Sequence, residues 1–194
     1  MAHLPDCGNR VGVSRAAALR FALAVALVGA ALVASALVAK SALATSRSEK
    51  SLTTLNHQVL AAVNRFRVAH GLVALRESGA LDRSARQHSL EMGRLGYFAH
   101  SSHDGTAFWK RIRKYYAARN YSYWSVGENL VWRSPSLSAA GALSLWIASP
   151  PHLANLLSTQ WRQVGVSAVS VAPGPGVYGG SHAVIITADF GVRH

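Results

Sequence analysis

Cysteine is almost missing from this sequence of 194 residues. The one that occurs, Cys7, lies ahead of a long apolar run. Residues 45–194 contain none, so that part of the chain forms no disulfide and offers no thiol nucleophile. Packing alone has to hold it together, which about 150 residues can achieve. Acids are scarce as well. Eight Asp and Glu face twenty Lys and Arg, for a net charge of +12. Only seven of those acids follow residue 45, which limits two-carboxylate chemistry to a few candidates: Glu91, Asp104, Glu128 and Asp189. Several signatures are missing too. There is no G-x-S-x-G elbow for a serine triad, no H-E-x-x-H, no P-loop and no G-x-G-x-x-G.

The apolar run itself, residues 21–39, carries no charge. Arg10, Arg15 and Arg20 precede it, and Ala42-Leu43-Ala44 supplies a small-x-small cleavage pattern. This is an export segment. It exceeds the usual signal core of roughly 7–15 residues and nearly reaches the ~20 that span a bilayer. Residues 1–44 are therefore read as a signal peptide or an uncleaved membrane anchor, residues 45–53 as a polar linker and 54–194 as the domain. Positive charge on the N-terminal flank places the domain outside the cytoplasm in either case, secreted or anchored by residues 21–39.

After residue 45 there are sixteen Lys and Arg, a net charge of +9. Such a balance suits nucleic acid or the anionic surface of a cell envelope equally. The one basic cluster, KRIRK (110–114), reads as a solvated helix face, and no nucleic-acid motif accompanies it. No nucleic-acid partner is expected.

Leu55, Val59, Val63 and Phe66 predict a helix that stops at Gly71. A second begins near Ser78, with Leu81, Ala85, His88, Met92 and Leu95 on one stripe and Gly96 at its end. His88 in that stripe reads as a packed core histidine rather than a ligand. YFAHSSHDG (97–105) follows as a loop or short strand, then a helical stretch TAFWKRIRKYYAAR. Residues 121–132 read as strand plus turn. A small-residue helix is expected over 136–149, opened by Ser134-Pro135 and broken by Pro150 and Pro151, with a short turn after them. The chain closes on a hairpin around PGPG (173–176), with Val164, Val166 and Ala168 alternating on one strand and Val184, Ile186, Ala188 and Phe190 on the other. Helices first and an antiparallel pair last make an α+β domain.

Glu128 lies in VGENLVW, an otherwise apolar and aromatic run. Burying a carboxylate costs several kcal/mol unless it is paired or coordinated. A histidine partner, from His100 or His152, and a role capping backbone N–H groups are equally open on the residues alone.

The stretches NRFRVAHGLVAL (64–75), HSLEMGRLGYFAHSSHDG (88–105), VGENLVW (126–132), WIASPPHLANLL (146–157), RQVGVSA (162–168) and TADFG (187–191) resemble, in that order, the CAP superfamily. This is the group of cysteine-rich secretory proteins, antigen 5 and pathogenesis-related 1 proteins, whose domain is also called SCP. The resemblance implies a three-layer α-β-α sandwich with a central, mainly antiparallel sheet. It also implies a cleft whose members fall on His100, Glu128 and His152. A further acid expected in the helix before His152 is absent; Ser149 stands nearest, and Glu91 and Asp189 are secondary candidates. The family's disulfides are missing.

His103, beside Asp104 and Gly105, reads as a turn residue. His100 and His152 are read as a site for a divalent metal (zinc, magnesium or calcium), with Glu128 orienting a histidine or a bound water. Three functions remain open. The first is a non-catalytic binding module for a lipid, peptide or envelope component. The second is a cleft that is only a structural polar network. The third is a metal-dependent peptidase or other hydrolase with Glu128 as candidate base.

Overall fold

Apolar residues at helical spacing start the described chain. The computed structural model describes residues 52–194, which lie within one unit, Ser46–His194. The export segment 21–39, its cleavage and most of the linker fall outside the described residues. Among those described, no helix is long and apolar enough to cross a membrane.

The first helix, α1 (52–69), already includes residues 52 and 53, read above as linker. It buries Val59 and Val63, and Leu55 and Phe66 pack on the same core. Gly71, at φ +71°, adopts the left-handed backbone that glycine accepts most readily after a helix end. A two-residue strand, β1 (Arg76–Glu77), leads into α2 (Gly79–Leu95). Leu81, Ala85, His88 and Met92 are fully buried as the stripe predicts, but Leu95 is exposed. A Cβ at Gly93 would already meet Val171, the last residue of its strand, so Leu95 stands past the end of the sheet.

The loop 97–107 leads to α3 (Phe108–Tyr115), shorter than its helical stretch suggests. β2 (Trp124–Arg133) follows. α4 (Ala139–Ile147) is opened by Ser138, whose Oγ accepts from the Gly141 N–H, rather than by Ser134-Pro135. Pro150 and Pro151 do more than end it. They occupy the first two positions of α5 (Pro150–Leu157), where a missing N–H costs nothing. β3 (Gln163–Val171) and β4 (Ala183–Arg193) form the expected hairpin, joined through a short 3-10 turn, Gly176–Tyr178.

The sheet order is β1-β3-β4-β2. β1 runs parallel to β3, and the other pairings are antiparallel. β3 and β4 are buried on both faces, because helices cover each side. One face packs Val164, Val166, Ala168, Ile186 and Phe190 against α1, α4 and α5 through Val63, Trp146 and Leu156. The other packs Val169 and Ile185 against Met92 of α2, and Leu81 of α2 against Ile112 of α3. This is the α+β sandwich expected. α2 lies so close to β3 that a Cβ at Gly165 would sit 2.1 Å from the Asp82 nitrogen. That approach lets the Asp82 carboxylate accept the Val166 N–H at 2.9 Å, and burial pushes its carboxyl up to about 6.

Candidate functional site

Glu128 sits near the middle of β2, directly opposite Asp189 of β4. Residues paired across antiparallel strands share a face, so two carboxyl groups stand side by side on the α2/α3 face of the sheet. Both are buried. Neither could remain there charged without a cation, and α3 supplies one. Arg111, itself only 1% exposed, turns inward and places Nη2 on Glu128 Oε2. Its Nη1 donates to the His100 carbonyl at 3.1 Å and to Ser102 Oγ at 3.2 Å, fixing the loop that carries His100. The basic cluster is therefore not wholly a solvated face. Lys110, Arg113 and Lys114 fit that reading, but Arg111 lies on the inward stripe with Phe108, Ile112 and Tyr115.

The other oxygen of Glu128 holds His100, whose Nδ1 donates to Oε1 at 2.8 Å. So Glu128 has a histidine partner and a second, stronger one that the sequence reading did not identify. The two side chains differ sharply in access: Glu128 is 1% exposed and His100 is 51% exposed. With Nδ1 committed, the outward ring nitrogen of His100 is Nε2.

His152 comes from α5, in the opposite helical layer, and its ring centroid lies 6.3 Å from that of His100. β2 is an edge strand, so the two histidines meet round the edge of the sheet. Ser149 Oγ bonds His152 Nδ1 at 2.9 Å and the Asn129 amide donates to the His152 carbonyl at 3.0 Å. Burial and the neighbouring His100 push the His152 imidazole toward its neutral form.

His88 is the core histidine expected, its Nε2 donating to the Ala99 carbonyl at 2.9 Å. It also stands 4.0 Å from Glu128 Oε2, at the back of the cluster. Burial lowers its pKa, so the ring is neutral and its Nδ1 has no hydrogen-bond partner. Glu91 lies behind it at 3.8 Å and accepts from the Tyr97 hydroxyl at 2.5 Å. Glu91 thus reaches the cleft only through His88. Asp189 is nearer, facing Glu128, but it is fully buried and neither of its oxygens finds a hydrogen-bond partner. Ser84 Oγ lies beside it, outside hydrogen-bond geometry. Burial first, and the Glu128 charge second, hold the Asp189 carboxyl well above the usual carboxylate range. Protonated Asp189 leaves Arg111 to a single carboxylate. His103 is a turn residue as expected; Asp104 Oδ1 accepts the Thr106 N–H at 2.8 Å and Gly105 takes φ +80°.

The donors available to a metal are the two imidazoles, His100 and His152. Among the described residues no three His, Cys, Asp or Glu side chains are placed to close round an ion. Zinc wants three or four protein ligands in a structural site and usually three in a catalytic one. A guanidinium against Glu128 further opposes a second cation there. The residues present do not make a resident metal site.

A profile of the cysteine-rich secretory protein family matches residues 60–189. No curated protein matches the chain. Among solved structures, an extracellular protein containing a SCP domain from Bacillus anthracis is similar, with a TM-score of 0.57 and 23% identity. The match covers 75% of this chain and 42% of that one. An outer surface protein of Borrelia burgdorferi gives a TM-score of 0.55 at 18% identity, covering 70% and 90% of the two chains. A cysteine-rich secretory protein from Staphylococcus aureus gives 0.53 at 15% identity, covering 72% and 38%. At those identities the likeness is one of fold. The chain spans less than half the length of the B. anthracis and S. aureus proteins.

Proposed function

This chain belongs to the cysteine-rich secretory protein family, and from that premise we propose that it is an extracytoplasmic binding domain without catalytic activity. Its ligand, a lipid, peptide or envelope component, would meet His100 and His152 at the edge of the sheet. The export segment supports the location, as does the likeness to an extracellular protein and an outer surface protein of other bacteria.

One observation carries the reading. Both oxygens of Glu128 are engaged, one by Arg111 and one by His100, and the side chain is 1% exposed. A general base has to be within reach of the proton it abstracts, directly or through one water. Glu128 has neither a free oxygen nor access, which weighs against the hydrolase reading. The cluster divides into two parts. Glu128, Arg111, Asp189 and His88 are buried and act as a polar framework; His100 and His152 form the face a ligand can touch.

Native mass spectrometry of the purified protein tests this, beside the His100→Ala/His152→Ala variant. The expected result is a co-purifying lipid, peptide or envelope mass on the wild type that is lost in the double variant. Equal retention by both would place binding elsewhere. Hydrolysis of peptides by the wild type, lost in the variant, would overturn the non-catalytic reading.

A further inference from the structure

A second concavity, about 460 Å³ in volume, lies at the end of the sheet where β1 and β3 begin and β4 ends. Register explains its composition. Arg76 opens β1, Arg162 precedes β3, and Arg193 closes β4. Tyr123, Gln160 and Gln163 complete the part of the lining that can hydrogen-bond a ligand. No acidic side chain lines it. His194 also lines it, with its carbonyl turned to the Tyr123 N–H and the Ser122 hydroxyl.

The convergence is electrostatic as well as geometric. The Tyr116 hydroxyl feels the charges of both Arg193 and Arg76, and Arg67 feels that of Arg162. Two of the three side chains are held in place. Arg193 stacks on Tyr116 and Tyr121 at 4.0 and 4.7 Å and donates from Nη1 to the Ala117 carbonyl. Arg162 donates from Nη1 to the carbonyls of Thr159, Gln160 and Trp161. These contacts account for Arg162 and Arg193 as clamps on neighbouring loops. They do not account for Arg76, whose side chain makes no hydrogen bond or ion pair among the described residues. Nor do they explain three like charges gathered round one hollow.

We infer that this arginine-lined hollow is an anion-binding site, separate from the His100–His152 face, that takes a phosphate ester carried on a sugar or polyol. Guanidinium forks match the several acceptor oxygens of a phosphate, and arginines already fixed lose little freedom on binding. The volume is of the size that holds a small ligand rather than a lone ion. The Tyr123 hydroxyl donates to Gln160 Oε1 at 3.3 Å and the Tyr116 hydroxyl to Gln163 Oε1 at 2.6 Å, which leaves the amide NH2 groups of both glutamines to donate to the hydroxyls of the carrier.

Titration of the full chain with glycerol 3-phosphate, followed by ¹H–¹⁵N NMR, tests the inference, with inorganic phosphate and glycerol as controls. The expected result is saturable shifts at Arg76, Tyr123, Gln163 and Arg193, tighter for glycerol 3-phosphate than for phosphate, and none with glycerol. Arg76→Glu, at an exposed side chain that holds nothing together, is expected to weaken binding about tenfold or more. Shifts with phosphate as strong as with the ester would reduce the site to one for a free ion and overturn the ester assignment. No saturable shift with either anion, or unchanged affinity in Arg76→Glu, would overturn the site itself. None of these outcomes bears on ligand binding at His100 and His152.

Discussion

Asp189 and Glu128 stand opposite one another with one buried cation, Arg111, against Glu128. The Asp189 carboxyl therefore keeps its proton in the folded protein where the unfolded chain has already lost it. The unfolded state then binds fewer protons, so this group makes stability fall as pH rises above about 4, until the folded carboxyl itself ionises. Asp82, raised to about 6 by burial, acts in the same direction between about pH 4 and about pH 6. Asp189→Asn copies the shape of the protonated acid and removes its titration. Urea unfolding of both proteins at acid and neutral pH is expected to show the wild type losing more stability on the way up than the variant. Equal pH slopes would mean that Asp189 is ionised in the folded state.

The same scale shows what a sequence reveals of such a cluster. His100, Glu128 and His152 are legible because the family's motifs place them in order. Arg111 is hidden by its neighbours: in KRIRK four of five residues are basic, and composition describes them as a group. The spacing Phe108, Ile112, Tyr115 would have put Arg111 on the inward stripe. Asp189 was visible only as a candidate, because what brings it to Glu128 is the β2–β4 register, a pairing of strands about sixty residues apart in sequence.

At the scale of elements, periodicity located α1, α2 and the hairpin well, since each buries a regular stripe. It misjudged Pro150 and Pro151, because proline ends one helix and begins another by the same loss of an N–H, and only the following PHLANLL could decide. Close packing between elements is less visible still. Gly165 reads as an ordinary strand residue, but it admits α2 to within contact of the β3 backbone. Gly165→Ala would drive a methyl into the backbone at Leu81 and Asp82, which no side-chain rotation relieves. The expected loss is at or beyond the upper end of the about 1–3 kcal/mol usual for overpacking. Chemical denaturation measures it, and a loss below that of a surface substitution would show that α2 stands off the sheet. Ala at Gly71, which has open space around it but a positive φ, separates backbone strain from this steric effect.

For the molecule as a whole, membership in a family named for its cysteines coexists with a domain that has none after residue 7. Apolar clusters on both faces of the sheet take over that role. Trp146 and Trp161 on one side and Met92 and Tyr178 on the other give each layer large buried side chains. Arg67 adds a further tie, donating from α1 to the Leu156 and Ser158 carbonyls at the end of α5 at 2.8 and 2.9 Å. The three-layer architecture followed from the motif order. How the layers are fastened without disulfides did not, because the fastening uses long-range bonds to backbone carbonyls that leave no local pattern.

The edge position of β2 has one more consequence. An open edge strand offers a row of carbonyls to which a strand of another chain can zip, the first step toward fibrils. Here the middle of that row is already taken. The Trp146 indole donates to the Leu130 carbonyl at 3.0 Å, and the Asn155 amide donates to the Glu128 carbonyl at 3.2 Å. The opposite edge, β1, is two residues long and leaves little to copy. Side chains of α4 and α5 thus also occupy carbonyls that a templated strand would need.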